Sequence, residues 1–211
     1  MPQLPPLKPR KLPRQKRSQA TVEAIFQATI QVLLAEGVSK LTTTHVAERA
    51  GVSVGTMYQY FPHKHALLYA LLEKYLAEIT ESMESACVRL KGQPLAVTSD
   101  GLAAAFFEAT ISNLQAARAV YSITSELDAS NLVSAISKRF NATIRMLLAS
   151  ITDASFHDLD AVTYTLQQAL GGTVVALFDN EVGPTPPSLK KLGVELPLLC
   201  RAYLAAASRP V

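Results

Sequence analysis

Apolar residues recur at spacings of three and four along most of this chain, broken by short clusters of Gly, Pro, Ser and Asp, and that period predicts an all-α protein. Val22, Ile25, Phe26, Thr29, Val32 and Leu33 make the stripe of a first helix, which Ser18 is placed to cap and which ends before Gly37. A much longer stripe runs from about Lys64 to Leu90 through Leu67, Leu68, Leu71, Leu72, Tyr75, Ile79 and Met83. A helix of that length spans about 40 Å at 1.5 Å per residue, enough to act as a rigid lever between a head and a body. Gly92 and Pro94 break the pattern over residues 91–100. Four further helical stretches follow: 101–117, 118–150 with an interruption near Asp128, 158–180 and 188–207, the last two separated by the loop NEVGPTPPS.

Between the first and the long helix, the segment Thr42–Lys64 reads as two short helices hinged at a glycine. Val46 and Ala47 give the first its apolar side, and Gly51 falls where a helix ends in a left-handed residue without Cβ. Ser53 restarts the helix as an N-cap. In the second helix Met57 and Phe61 lie four apart and are assigned to the core. Thr56 and Tyr60, also four apart, are expected on a presented face, and Tyr58 at the edge of the core side, its ring packed and its hydroxyl reaching outward. Gly55 leaves the first turn bare for close approach, Pro62 stops the helix, and Lys64 beyond it suits a phosphate. This is the helix-turn-helix plan, whose second helix enters a major groove by its N-terminal residues.

Charge separates along the chain in the same sense. Residues 1–64 carry nine Lys or Arg against three Asp or Glu, and the rest carries eleven against fourteen. Lys8, Arg10, Lys11, Arg14, Lys16 and Arg17 precede any acid and are interleaved with five prolines, which favours an extended basic arm. Two readings of the arm stand: neutralising phosphates or lying in a minor groove by counterion release, and a solvated terminus. No apolar segment follows these charges, so no secretory signal is expected, and the prolines and sparse serine argue against a transit peptide. The longest uncharged stretch, Ala161–Phe178, contains Thr163, Thr165, Gln167, Gln168, Gly171 and Gly172, so it reads as a helix in water rather than in lipid. Cys87 and Cys200 lack any metal or disulfide spacing and read as reduced, buried thiols of a cytoplasmic protein.

The segment from Arg17 to about Leu72 resembles the DNA-binding domain of the TetR/AcrR family of bacterial transcriptional regulators, whose pattern AGVS-x-G-T-x-Y-x-YF-x-x-K-x-x-L is filled here, without a gap, by AGVSVGTMYQYFPHKHALL. The resemblance implies DNA contacts at Thr43, Thr44, Val54, Gly55, Thr56, Tyr58, Tyr60 and Lys64. It also implies an arm over 1–17, a helix-turn-helix domain over 18–64 and a helical effector-binding and dimerisation domain over 65–211. The family commonly has Ser or Asn where His63 stands and Glu where His65 stands, so the cap of the long helix is expected to be weaker or made differently. Further implied are a homodimer through the last two helices, a palindromic operator in double-stranded DNA, and a repressor released by a small, mostly apolar effector. Aromatic and apolar residues of the body that would line an effector pocket are Phe106, Phe107, Thr110, Tyr121, Phe140, Met146 and Tyr164; ordinary core is the alternative for each.

Apolar residues on more than one face of the last two helices also ask for a partner, and Gly171 and Gly172 would permit its close approach or mark a kink. No cofactor, metal, membrane or enzymatic activity is expected. His63 and His65 diverge by about 200° on a helix, Asp158 ahead of an apolar helix reads as an N-cap, and the phosphate-loop, H-E-x-x-H and G-x-S-x-G motifs do not occur.

Overall fold

A computed structural model describes residues 16–178 and 183–210. The helices are α1 (Lys16–Glu36), α2 (Thr43–Arg49), α3 (Val54–Tyr60), α4 (Lys64–Leu90), α5 (Leu95–Ile111), α6 (Leu114–Tyr121), α7 (Ser130–Leu148), α8 (Leu159–Phe178) and α9 (Pro186–Ala207), with tight turns at Val38–Lys40 and Thr124–Glu126. Two three-residue strands, β1 (Ala154–Phe156) and β2 (Ser208–Pro210), pair antiparallel. Most of the proposed basic arm, residues 1–15, lies outside the described residues.

Four local expectations are corrected. Ser18 sits inside α1 rather than capping it. The stretch 101–117 is divided after Ile111, where the Ser112 hydroxyl turns back onto the Ala109 carbonyl at 2.9 Å, and α5 starts earlier, with Pro94 as its N-cap residue. The 118–150 stretch is interrupted before Ser130, near Asp128 as expected, but its first part, 118–121, is the end of α6 rather than the start of a helix of its own. The β1–β2 ladder was invisible to periodicity because three residues are too few to show an alternation.

The chain forms two compact units. The first holds the described residues through Tyr75 together with Gln115–Ser130, and the second holds Leu76–Leu114 and the described residues from Asn131 onward. In the first, Ile25, Leu41, Val46, Met57, Leu67 and Leu68 are fully buried, and the Phe26 and Phe61 rings meet tilted at 5.7 Å. That core fixes α2 and α3 against α1 and the start of α4. Arg49 also reaches from α2 to α1, its Nε donating to Gln31 Oε1 at 2.9 Å.

In the second unit α5 lies along α9, where the Phe107 ring packs over Gly193. Three arginine–carboxylate pairs join its helices: Arg139 to Glu84, Arg145 to Asp160 and Arg201 to Asp100. Its buried polar groups are satisfied locally. Thr80, Thr110 and Thr163 each donate to the carbonyl four residues back, and the Gln167 amide donates to Ser137 Oγ at 2.6 Å while its oxygen accepts from Asn141 Nδ2 at 3.0 Å. Cys87 and Cys200 are buried here, and loss of solvation pushes both thiols up to about 11.

Candidate nucleic-acid interface

Each end of the two short helices is closed by a side chain or turn suited to it. Thr42 caps α2, its hydroxyl oxygen accepting the His45 N–H at 3.1 Å. At the other end Gly51 takes φ 68, the Gly51 N–H reaches the Glu48 carbonyl at 3.1 Å, and the Val52 N–H reaches the Ala47 carbonyl at 3.0 Å. Those two bonds are the Schellman termination, which needs a left-handed residue at Gly51. Ser53 then caps α3, accepting the Thr56 N–H at 3.0 Å, and its hydroxyl shares a 2.8 Å hydrogen bond with that of Thr56. The hinge is therefore rigid, and α3 leaves it at a fixed angle.

The exposed surface of α3 is made by Val54, Gly55, Tyr58 and Gln59, with Thr56 half-buried. Tyr58 is 42 % exposed, and its hydroxyl lies 3.4 Å from that of Thr43, which is itself buried. Thr44 is exposed at the start of α2.

Tyr60 departs from expectation: it is only 7 % exposed. Residues three apart on a helix differ by about 60°, so Tyr60 shares the buried face of Met57, while Phe61 lies past the helix end in extended backbone and follows no wheel. The presented face instead runs from Gly55 to Gln59, four apart. Gln59 had been passed over, although the same spacing places it in line with Gly55.

Lys64 opens α4, and its ammonium donates to the Val38 carbonyl at 2.5 Å. His63, the residue before it, does the capping: its Nδ1 accepts the Ala66 N–H at 3.1 Å. A ring nitrogen that accepts carries no proton, so the proton sits on Nε2, which is buried without a protein partner. The cap is thus made differently, by an imidazole.

Of the residues expected around an effector, Phe106 and Thr110 are buried in the second unit, and Phe106 meets Phe140 at 6.3 Å between ring centroids. Phe107 packs on α9 in that same unit. Tyr121 belongs to the first unit, where burial pushes its phenol up. Met146 and Tyr164 are corrected: at 65 % and 61 % exposed they face outward and line no interior. They occupy positions on α7 and α8 whose neighbours at three and four residues, such as Ala142, Ala161 and Gln168, are exposed as well. Asp158 caps α8, accepting the Ala161 N–H at 2.9 Å, and Asp160 pairs with Arg145, so both carboxylates beside His157 have structural work.

A capped helix-turn-helix in front of a larger helical unit is the architecture of a DNA-binding transcriptional regulator. Residues 25–71 match the family of bacterial regulatory proteins of the tetR type, and residues 94–204 match the tetracyclin repressor-like C-terminal domain. The chain belongs to the TetR family of transcriptional regulators. It is 34% identical over 69 residues to the HTH-type transcriptional regulator YvdT of Bacillus subtilis, a match covering 33% of this chain and 36% of that protein. Its fold resembles that of a protein from Mesorhizobium loti described as a TetR-family transcriptional regulator, with TM-score 0.70 and 16% identity over 91% of this chain and 98% of that one. It also resembles SmeT, the repressor of the Stenotrophomonas maltophilia multidrug efflux pump SmeDEF, with TM-score 0.67 and 18% identity over 90% and 93% of the two chains. A second SmeT structure, a complex with triclosan, matches with TM-score 0.66 and 19% identity over 90% and 92%. No described helix is long and apolar enough to cross a membrane.

Proposed function

We propose that this TetR-family regulator is a homodimeric repressor that leaves a pseudo-palindromic operator when a small, mostly apolar molecule binds its second unit. The observation that carries the reading is the bare outer face of α3: Val54, Gly55, Tyr58 and Gln59 are exposed in front of a helix whose start and backing are fixed. Thr44 and Thr56 flank that face, while Thr43 and Tyr60 support it from behind. Gln59 is suited to bidentate contact with an adenine, and Val54 to a thymine methyl.

Support for the dimer comes from α8, where, past the exposed Asp160 that pairs with Arg145, the exposed residues Ala161, Tyr164, Thr165, Gln168, Gly172, Val175 and Ala176 form an uncharged stripe. Tyr164 has its place on that stripe as a partner contact rather than a pocket residue. A two-fold protein reads two half-sites, so operator symmetry follows from dimer symmetry. For the effector, the Phe106–Phe140 contact in an interior whose polar groups are already satisfied favours an apolar ligand, and the triclosan complex of the structurally similar SmeT supports the same class.

Selection of genomic fragments by the purified protein, followed by footprinting and mass measurement in solution, tests this. A protected pseudo-palindrome bound by a dimer is expected, weakened about tenfold or more by Gln59→Ala as one base contact is lost. A protein that selects no sequence, or that is a stable monomer, would defeat the reading.

A further inference from the structure

We infer that the effector of the second unit is a neutral molecule with a hydrogen-bond donor on an apolar frame, a phenol in its simplest form, and that the hydroxyl oxygens of Thr110 and Thr143 receive that donor beside the Phe106–Phe140 ring pair. The inference rests on the reading of the second unit as the effector-binding part, and it names the chemistry such a ligand must have.

Charge is kept out of this interior. Among the described residues of the second unit every Lys, Arg and His is exposed, and the two half-buried acids, Glu84 and Asp100, are each paired with an arginine. A carboxylate or phosphate brought inside would lose its water and meet no cation, and an ammonium would meet no free carboxylate. Ionised ligands of either sign are therefore disfavoured.

The polar groups that are inside offer only one half of a hydrogen bond. The hydroxyls of Thr80, Thr98, Ser99, Thr110, Thr143 and Thr163 are buried, and each donates its one hydrogen to a backbone carbonyl four residues back, or five for Thr98. A hydroxyl whose hydrogen is committed keeps its oxygen lone pairs, so it can accept from a ligand and cannot give to one. The buried Gln167 amide is committed in the same sense. The Ser137 carbonyl can only accept, so it draws the amide nitrogen at 3.1 Å and leaves the amide oxygen facing Asn141.

Two of these hydroxyls stand beside aromatic rings. Thr110 follows Phe106 by four residues on α5, and Thr143 follows Phe140 by three on α7, so each shares a helix face with one ring. The two rings meet at 6.3 Å between centroids, which brings those faces together. A ligand with its apolar frame against the rings and its O–H turned to a threonine oxygen fits both the shape and the polarity of that place.

The experiment titrates the full chain, without DNA and at neutral pH, with para-alkylphenols from ethyl to octyl, their methyl ethers, and para-alkylbenzoates of the same lengths. The phenols are expected to bind about threefold to tenfold tighter than the ethers, which lack the donor, and about a hundredfold tighter than the benzoates, whose charge finds no partner. In a double variant, Thr110→Val with Thr143→Val, the preference for phenol over ether is expected to vanish; if that protein does not fold, the three series on the wild-type chain decide alone. Ethers or benzoates bound as tightly as phenols, a preference that survives in the folded variant, or binding by none of the three series would overturn the inference. The same phenols are then added to the protein on its operator. Phenols that bind the protein and leave it on DNA would defeat the repressor reading while this inference stands.

Discussion

Replacing Tyr60 by Ala separates a residue that supports the recognition helix from one that touches DNA. With only 7 % of its surface exposed and its ring against Phe61 at 6.3 Å, Tyr60 is part of the core of the first unit. A buried aromatic side chain removes about 150–250 Å² from water, worth about 4–6 kcal/mol at about 25 cal/mol per Å². Partial collapse around the vacated space and the methyl retained by Ala reduce this, so the expected loss is about 3 kcal/mol, at the lower edge of aromatic-to-alanine costs in cores. That is a large part of a typical domain stability of about 5–15 kcal/mol. Urea denaturation followed by far-UV circular dichroism reads the loss directly. Tyr60→Phe keeps the ring and removes only the hydroxyl, so its stability is expected within about 1 kcal/mol of wild type, and its operator affinity unchanged. Operator binding of Tyr60→Ala should fall only in proportion to the fraction unfolded. A Tyr60→Ala protein with an unshifted midpoint and lost operator binding would refute the placement.

His63→Ala should cost about 1 kcal/mol by removing the acceptor of the Ala66 amide, while His63→Ser replaces the cap without a buried Nε2–H; a Ser variant less stable than the Ala variant in urea would dismiss the imidazole cap. Gly172→Leu should leave folding intact, because a Cβ there meets nothing within 4 Å, and yet weaken the proposed dimer; sedimentation showing an undisturbed dimer would remove α8 from the proposed interface. The fork from Arg139 Nε and Nη2 to the two Glu84 oxygens, at 2.6 Å each, lowers the Glu84 carboxyl below its ordinary range. A lowered carboxyl adds stability above its unfolded-state range and loses it as pH falls through the folded-state value, so Glu84→Gln should flatten the acid limb of the stability profile; coincident limbs for the two proteins would contradict this.

The parts of the fold that were legible in the sequence are those set by long periodicity or by a single decisive residue. The bounds of α4 follow from seven apolar positions in register, and the hinge follows from Gly51, whose left-handed backbone favours glycine, and Ser53, whose hydroxyl caps α3. What was lost lay at short range. A three-residue strand has no period, and Ser112 can sit in a helix or break it depending on which carbonyl its hydroxyl finds. Tyr60 was misplaced because pairs four apart were used to sort a helix of seven residues, where a pair three apart is equally close.

Side-chain identity is a weaker guide than the partner a side chain finds, and the start of α4 illustrates this. His63, Lys64 and His65 read as three groups able to carry positive charge at the end of a helix that prefers negative charge. In the fold, His63 accepts a backbone N–H, and Lys64 donates a hydrogen bond to the Val38 carbonyl from the other end of the motif. Only His65 is left exposed. The helix that carries this start contributes residues to both units, those through Tyr75 to the first and those from Leu76 to the second. A ligand that shifts operator affinity a hundredfold must supply about 2.7 kcal/mol of difference between two states, and operator DNA must weaken that ligand by the same factor.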